Sequence, residues 1–179
     1  MVVSYGEVWR LFSAMFLHGN LLHVTMNMLS LWFVGRVVES WFDSFSYLVI
    51  YFASGIIGGL VSLYFHPNTV AIGASGAIFG IFGAMIGFVV VNRNRLASFE
   101  EFLKQFGVIL LLNLGIGVVF DSVDLSAHIG GLLIGLIGGY MCAKSRGLKY
   151  IYLVVSIVIT VFIYNYLVGI FPSKILLLN

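Results

Sequence analysis

The sequence predicts an all-α integral membrane protein, a polytopic bundle of about six transmembrane helices preceded by an N-terminal interfacial segment. Two observations predict this fold class. The 179 residues are 61% hydrophobic and 9% charged, with a mean hydropathy of +1.10, and soluble domains carry far more charge. The chain also has 21 glycines and 2 prolines, which fits the glycine tolerance of membrane helices.

Six apolar runs are long enough to cross a bilayer. They lie at about Leu22–Val38, Phe45–Phe65, Ala74–Val91, Gln105–Phe120, Ala127–Ala143 and Leu148–Ile170. Residues 1–21 are too short and too polar to span. Within them, Glu7–Leu17 carries aromatic and apolar residues around Arg10, a pattern typical of a segment that lies in the membrane interface.

The basic residues predict the orientation of these spans. When the loops alternate sides, one side holds seven of the nine Lys and Arg residues, namely Arg36, Arg93, Arg95, Lys104, Lys144, Arg146 and Lys149. That side is expected to be cytoplasmic by the positive-inside rule. The opposite, outer side then receives the N-terminus, the C-terminus, and the residues Ser75, Asp121, Asp124 and His128. Basic residues confined to short loops do not indicate a nucleic-acid partner.

His18, His23 and Asn27 form the first polar cluster. His23 and Asn27 are four residues apart, so they share one helix face. Their simplest interpretation is an interhelical hydrogen bond. A metal site would need three or four ligands, and no carboxylate lies beside these histidines, so no metal is expected.

Ser75 begins an apolar run between Gly73 and Gly76. Glycines recur at helical spacing at Gly76, Gly80, Gly83 and Gly87. This stripe predicts close packing against a neighbouring helix. That stripe does not need the serine. Ser75 is therefore either a helix N-cap or a nucleophile, and the loop before it ends in Gly73, which can present a backbone N–H to a ligand.

His128 begins another outer helix, and Gly131, Gly135 and Gly139 form a second ridge of small residues below it. If the two ridges pack together, Ser75 and His128 come within hydrogen-bond reach, as an activated nucleophile and its base require. His23, Asn27 and the backbone N–H of Ser75 can then stabilise an oxyanion. Asp121 and Asp124 are either a third catalytic member or, as we favour, parts of a solvated outer loop.

The order and spacing of five motifs over roughly residues 7–146 resemble the rhomboid intramembrane serine proteases of bacterial type. The motifs are Trp9-Arg10, "HGNLLHVTMN" at His18–Asn27, Glu39 at the inner end of the first span, "GASG" at Gly73–Gly76, and "AHIGG" at Ala127–Gly131.

The resemblance implies a rhomboid-like bundle with a Ser–His dyad and no acidic partner. It makes Ser75 the nucleophile and His128 the general base. It assigns the oxyanion hole to His23, Asn27 and the backbone of Gly73 and Ser75.

The resemblance also implies structural support from residues outside this chemistry. Trp9 and Arg10 belong to a membrane-embedded loop that braces the fold in the family, and Phe79 stands where relatives often have a tyrosine packed on the catalytic histidine. His18 and Glu39 complete the supporting set.

The expected domains are an interfacial or membrane-embedded loop segment at 1–21, a catalytic core at 22–146, and an additional transmembrane helix with a tail at 147–179. The family core has a helix before the Trp-Arg loop, and the chain begins eight residues before Trp9, so that first helix is expected to be absent.

The expected function is hydrolysis of peptide bonds in or near transmembrane segments of membrane protein substrates. The partners are those substrates, the lipid bilayer and water at the active site, without a cofactor. The expected location is the bacterial plasma membrane, with the active site toward the outer face and lateral substrate access beside Gln105–Phe120. Alternatives are an inactive rhomboid-like protein that binds client helices, and a transporter or channel.

Overall fold

A computed structural model describes residues 6–69, 71–95, 104, 106–108, 110–111 and 123–171. All regular structure in these residues is helical. The helices whose two ends both lie among the described residues are α1 (Trp9–Ser13), α2 (Leu21–Glu39), α3 (Ser44–Phe65), α4 (Ser75–Asn92), α5 (Leu125–Lys144) and α6 (Leu148–Ile170). Short 3₁₀ turns follow α1 at Ala14–Phe16 and α4 at Arg93–Arg95.

Helices α2 to α6 are each long and apolar enough to cross a bilayer, since about 20 residues suffice. This confirms the predicted all-α, multi-pass membrane fold. The predicted span Gln105–Phe120 lies mainly outside the described residues and stays a prediction. Asp121 also lies outside them.

Asparagine and aspartate side chains cap the starts of three of these helices, α2, α3 and, as described below, α5. The Asn20 side chain accepts from the backbone N–H of His23 (2.8 Å) at the start of α2. The Asp43 side chain accepts from the backbone N–H of Ser46 (3.1 Å) at the start of α3. Within α2, Leu31–Gly35 forms a π-helical turn, a local widening that the apolar pattern did not predict.

Helix α4 is the most buried of the five candidate spans. Its glycines contact α5 backbone to backbone, as the spacing predicted. A Cβ on Gly83 would lie 2.6 Å from the backbone nitrogen of Leu136, and one on Gly135 or Gly131 would collide with the carbonyl of Gly80 or Gly76. The two helices can approach this closely only because no side chain stands between them.

Two peripheral elements pack on α3. Met15, just after α1, is buried against Gly55 of α3, and Phe12 stacks on Phe52 with ring centroids 5.3 Å apart. On another side, Leu167 of α6 is fully buried with Leu60 of α3.

Polar contacts also fix α6. The Tyr152 hydroxyl donates to the carbonyl of Ile134 in α5 (3.2 Å). Lys149 forms an ion pair with Asp43 (3.1 Å). Desolvation alone would raise the pKa of Asp43, but hydrogen bonds from Ser46 and the Lys149 ammonium outweigh it and lower the pKa to about 2.

Candidate active site

Ser75 is the first residue of α4 and is partly buried. Ala74 occupies the N-cap position with helical backbone angles, and no side chain caps the helix. The Ser75 hydroxyl makes no hydrogen bond to any described residue. The interpretation of Ser75 as a helix cap is therefore wrong for this structure, and its hydroxyl is left for another use.

His128 lies one turn into α5 with 5% of its surface exposed. The Phe79 ring stacks on its imidazole, with ring centroids 4.1 Å apart and planes inclined by 12°. Residues four apart share a helix face, so Ser75 lies one turn above Phe79 on the side of α4 that faces His128. No hydrogen bond joins Ser75 to His128 among the described residues. Catalytic hydrogen bonds are often long before substrate binds.

Gly73 brings the loop before Ser75 onto α2. Its φ of +117° is one that side-chain-bearing residues rarely adopt. A Cβ there would lie 2.7 Å from His23 Nε2 and 3.4 Å from Asn27 Nδ2. The absence of a side chain therefore lets both α2 side chains approach the Ser75 loop.

The expectation that Gly73 presents its backbone N–H to a ligand does not hold here. That N–H donates to the carbonyl of Ala14 (2.9 Å), so Gly73 contributes space and backbone shape. The Ala14 contact joins the loop to the segment after α1, and nothing in the sequence pattern signals it.

Three buried polar atoms at this end of the bundle have no hydrogen-bond partner in the described part of the chain. They are His18 Nε2, Asn27 Nδ2 and His128 Nδ1. His18 meets the His23 ring edge-on, with centroids 5.1 Å apart. The interhelical hydrogen bond considered for Asn27 is not made by its Nδ2. Buried groups of this kind usually indicate a ligand, water or a catalytic role.

Asp124 caps α5 and is half-buried, which corrects the expectation of a solvated loop residue. Its carboxylate accepts from the Ser126 hydroxyl (2.5 Å), the backbone N–H of Ala127 (3.0 Å) and the Ser62 hydroxyl of α3. Burial alone would raise the pKa of Asp124, but these three hydrogen bonds outweigh it and hold the pKa below its usual range. An Asp before an apolar run is a known start signal, whereas the partner Ser62 had no sequence signal.

The Asp124 carboxylate does not accept a hydrogen bond from the His128 ring. His128 Nδ1 has no hydrogen-bond partner among the described residues, so no carboxylate of those residues orients the imidazole through this nitrogen. The same residues contain no group of three or more His, Cys, Asp or Glu side chains that could hold a metal ion.

The remaining predicted support residues lie farther out. Trp9 is 59% exposed on α1. Arg10 donates to Glu7 (2.6 Å), and this hydrogen bond lowers the pKa of the Glu7 carboxyl. Glu39 is exposed at the end of α2. Their supporting roles stay predictions.

Comparison with known proteins decides the family. The Rhomboid domain matches residues 5–145 of this chain. The chain belongs to the rhomboid family. Helix α6 lies beyond the region that matches the rhomboid domain.

Several curated rhomboid proteins are similar to this chain. Rhomboid protease GluP of Bacillus subtilis is 41% identical over 151 residues, which are 82% of this chain and 28% of GluP. RHOMBOID-like protein 1 of Arabidopsis thaliana is 38% identical over 141 residues, 79% of this chain and 36% of that protein. Putative rhomboid protease YdcA of Bacillus subtilis is 31% identical over 149 residues, 83% of this chain and 74% of YdcA. The chain thus spans about a quarter to a third of the first two rhomboid relatives' length.

Proposed function

We propose that this rhomboid is an intramembrane serine endopeptidase that hydrolyses peptide bonds in or near transmembrane segments through a Ser75–His128 dyad. One observation carries the proposal. Ser75 starts α4 without capping it and without a hydrogen bond to any described residue, on the face whose next turn holds Phe79 against the His128 ring. A hydroxyl with no structural bond beside a buried imidazole is the arrangement that nucleophilic catalysis needs.

The chemistry follows from these two groups. Ser75 Oγ attacks the carbonyl carbon of the scissile bond while the His128 imidazole takes the hydroxyl proton. The tetrahedral intermediate collapses as His128 gives that proton to the leaving amine, and an acyl-enzyme remains. A water molecule, deprotonated by His128, then attacks the ester, and Ser75 recovers its proton. No cofactor takes part in these steps.

The oxyanion of the tetrahedral intermediate would be stabilised by His23, the Asn27 amide and the backbone N–H of Ser75. Gly73 contributes by leaving room for His23 and Asn27 to reach the reacting carbonyl. The buried, unpartnered Nδ2 of Asn27 supports this role. Loss of one such donor typically lowers kcat about 100- to 1,000-fold.

A substrate helix would approach laterally, beside the span predicted at Gln105–Phe120. An apolar groove of ≈ 370 Å³ lies there between α2, α4 and Phe106. It is lined by Leu29, Ser30, Phe33, Val34, Val37, Phe82 and Phe106. An apolar lining suits the side chains of a membrane-spanning substrate. A crosslink between α2 and the Gln105–Phe120 span that left cleavage unchanged would contradict this route.

We further propose that the domain division at 1–21, 22–146 and 147–179 holds, with the catalytic core in 22–146. The distribution of Lys and Arg supports an active site toward the outer face, in a bacterial plasma membrane. Water would reach the dyad from that face.

Cleavage of a model transmembrane substrate in proteoliposomes tests the function. Wild type should cleave, and Ser75→Ala and His128→Ala should both abolish cleavage, while Gly169→Ala on α6, where a Cβ meets nothing within 4 Å, should leave it intact. Wild type that binds transmembrane helices but cleaves none of several substrates would favour the client-binding alternative.

A further inference from the structure

The start of α5 is tied to α3 through one carboxylate. One oxygen of Asp124 accepts from Ser126 and from the backbone N–H of Ala127, both in the first turn of α5. The other oxygen accepts from the hydroxyl of Ser62, which lies 62 residues earlier in the chain on α3. Asp124 therefore caps its own helix and bridges to a neighbouring one with the same side chain.

This bridge lies one helical turn from His128. The backbone N–H of His128 donates to the carbonyl of Asp124 (3.2 Å). Between them, the carbonyl of Ala127 lies in a narrow slot, where a Cβ on Gly58 of α3 would come within 2.7 Å and one on Gly76 of α4 within 3.4 Å. Because the first turn of α5 is packed this closely against α3 and α4, a movement of Asp124 would also move the backbone of His128 and its imidazole.

The imidazole itself lacks another polar restraint in the part of the chain that the structure describes. Phe79 covers one face of the ring, and Nδ1 has no partner there. In a Ser–His–Asp triad the acid orients the histidine through a direct hydrogen bond. Here the Asp124 carboxylate is bonded to the helix start and to α3 instead.

We propose that Asp124, through its bond to Ser62, is a positioning residue that sets the depth and rotation of His128 through the α5 backbone. In a Ser–His–Asp triad the aspartate orients the histidine by a direct hydrogen bond. Asp124 would orient His128 indirectly, without contacting the imidazole. This inference rests on the proposed protease function, since the position of His128 matters to rate only if His128 is the base.

Two variants distinguish the bond between Asp124 and Ser62 from the capping of α5 by Asp124. Ser62→Ala removes the bond to α3 and leaves the α5 cap, whereas Ser126→Ala removes a local bond and leaves the bridge. Ser62→Ala and Asp124→Ser, whose short hydroxyl still caps a helix, should each lower kcat about 10- to 100-fold with KM unchanged, since small misplacements of catalytic groups cost rates of this order. Ser126→Ala should stay within about three-fold of wild type, the spread expected for one local hydrogen bond.

A second measurement reports helix register without activity. In a Cys142→Ser background, Val61→Cys and Gly130→Cys place thiols on α3 and α5 at positions where a Cβ on Gly130 would lie 3.1 Å from the Cβ of Val61. Disulfide formation should slow when Ser62→Ala is added and stay unchanged with Ser126→Ala.

The outcomes are distinguishable. Slower disulfide formation together with a lower kcat supports the positioning role. Unchanged kcat in Ser62→Ala, or a kcat loss equal to that of Ser126→Ala, would overturn it. If Ser62→Ala slows disulfide formation but the wild type cleaves no substrate, the protease function is overturned. The bond between Asp124 and Ser62 then has only a structural role.

Discussion

At the scale of single residues, the end of the bundle that holds Ser75 contains buried polar atoms without a hydrogen-bond partner among the described residues. Each buried polar group without a partner costs about 1–3 kcal/mol. In the part of the chain that the structure describes, His18 Nε2, Asn27 Nδ2 and His128 Nδ1 are all of this kind, and the Ser75 hydroxyl has no hydrogen bond to a residue of that part. Buried polar atoms of this kind are found where water pairs with them or where they have a catalytic role.

Gly73 gives a direct test at this scale. Gly73→Ala combines an unfavourable φ of +117° with a contact of 2.7 Å to His23. We expect cleavage to fall about 100-fold or more, the loss typical when an oxyanion donor is displaced. Initial cleavage rates in proteoliposomes measure this.

Gly6→Ala is the matched control. Gly6 also has a positive φ, +66°, but a Cβ there meets nothing within 4 Å. If both variants lose activity equally, backbone strain and not the approach to His23 is responsible.

Phe79 tests the stacking on His128. Phe79→Tyr keeps the aromatic face and should stay within about three-fold of wild type, whereas Phe79→Leu removes a ring contact worth about 0.5–1.5 kcal/mol. We therefore expect Phe79→Leu to lower kcat by up to about ten-fold, since 1.4 kcal/mol corresponds to ten-fold. A Phe79→Leu enzyme with wild-type kcat would show that the stack does not orient the base.

The sequence could predict part of this residue-scale picture. The shared face of His23 and Asn27 follows from helical spacing alone. The contact of Gly73 with Ala14 and that of Asp124 with Ser62 join distant parts of the chain. No local pattern encodes such pairs, so the contact of Asp124 with Ser62 could not be predicted. The capping of α5 by Asp124 is local and had a start signal in the sequence, but the solvated-loop interpretation was preferred.

At the scale of helices, two ridges of glycine determine how α4 and α5 meet. The spacing of small residues was sufficient to predict this contact, because only residues without side chains let two backbones approach. Helix bounds were also predicted closely, with α6 matching Leu148–Ile170. The π-helical turn in α2 was not predicted, since it changes backbone hydrogen bonding without changing the apolar pattern.

Gly135→Ala tests the ridge. Its Cβ would collide with the backbone of Gly80, and overpacking of this kind costs about 1–3 kcal/mol, partly offset by about 1 kcal/mol of better helix propensity. We expect a lower Tm in detergent and weaker cleavage. Gly169→Ala, with open space around it, should have an unchanged or slightly raised Tm, and a fall in Tm equal to that of Gly135→Ala would contradict the account.

At the scale of the whole molecule, the distribution of basic residues predicts which ends of the helices face the cytoplasm. The long apolar helices indicate that the protein spans a membrane. The basic residues of the described loops cluster near Arg93 and between α5 and α6 at Lys144 and Arg146. The candidate site lies at the opposite ends of the same helices, near Ser75 and His128. The positive-inside rule therefore predicts a site facing outward.

Cysteine accessibility tests this orientation, because Cys142 is the single native cysteine. In a Cys142→Ser background, His66→Cys lies in the exposed loop between α3 and α4, and Ser145→Cys lies in the exposed turn between α5 and α6. A membrane-impermeant maleimide applied to intact cells should label His66→Cys alone, and permeabilised cells should label both. Labelling of Ser145→Cys alone in intact cells would reverse the topology.

Covalent labelling with a serine-reactive probe shows whether His128 activates Ser75 as a nucleophile. A fluorophosphonate probe loses fluoride to a reactive serine hydroxyl, and mass spectrometry locates the adduct on the labelled peptide. We predict an adduct on Ser75 in wild type, about 100-fold or more slower labelling in His128→Ala, as expected for loss of a general base, and none in Ser75→Ala. Labelling of Ser75 at an equal rate with and without His128, or no labelling of a folded wild type, would contradict the dyad.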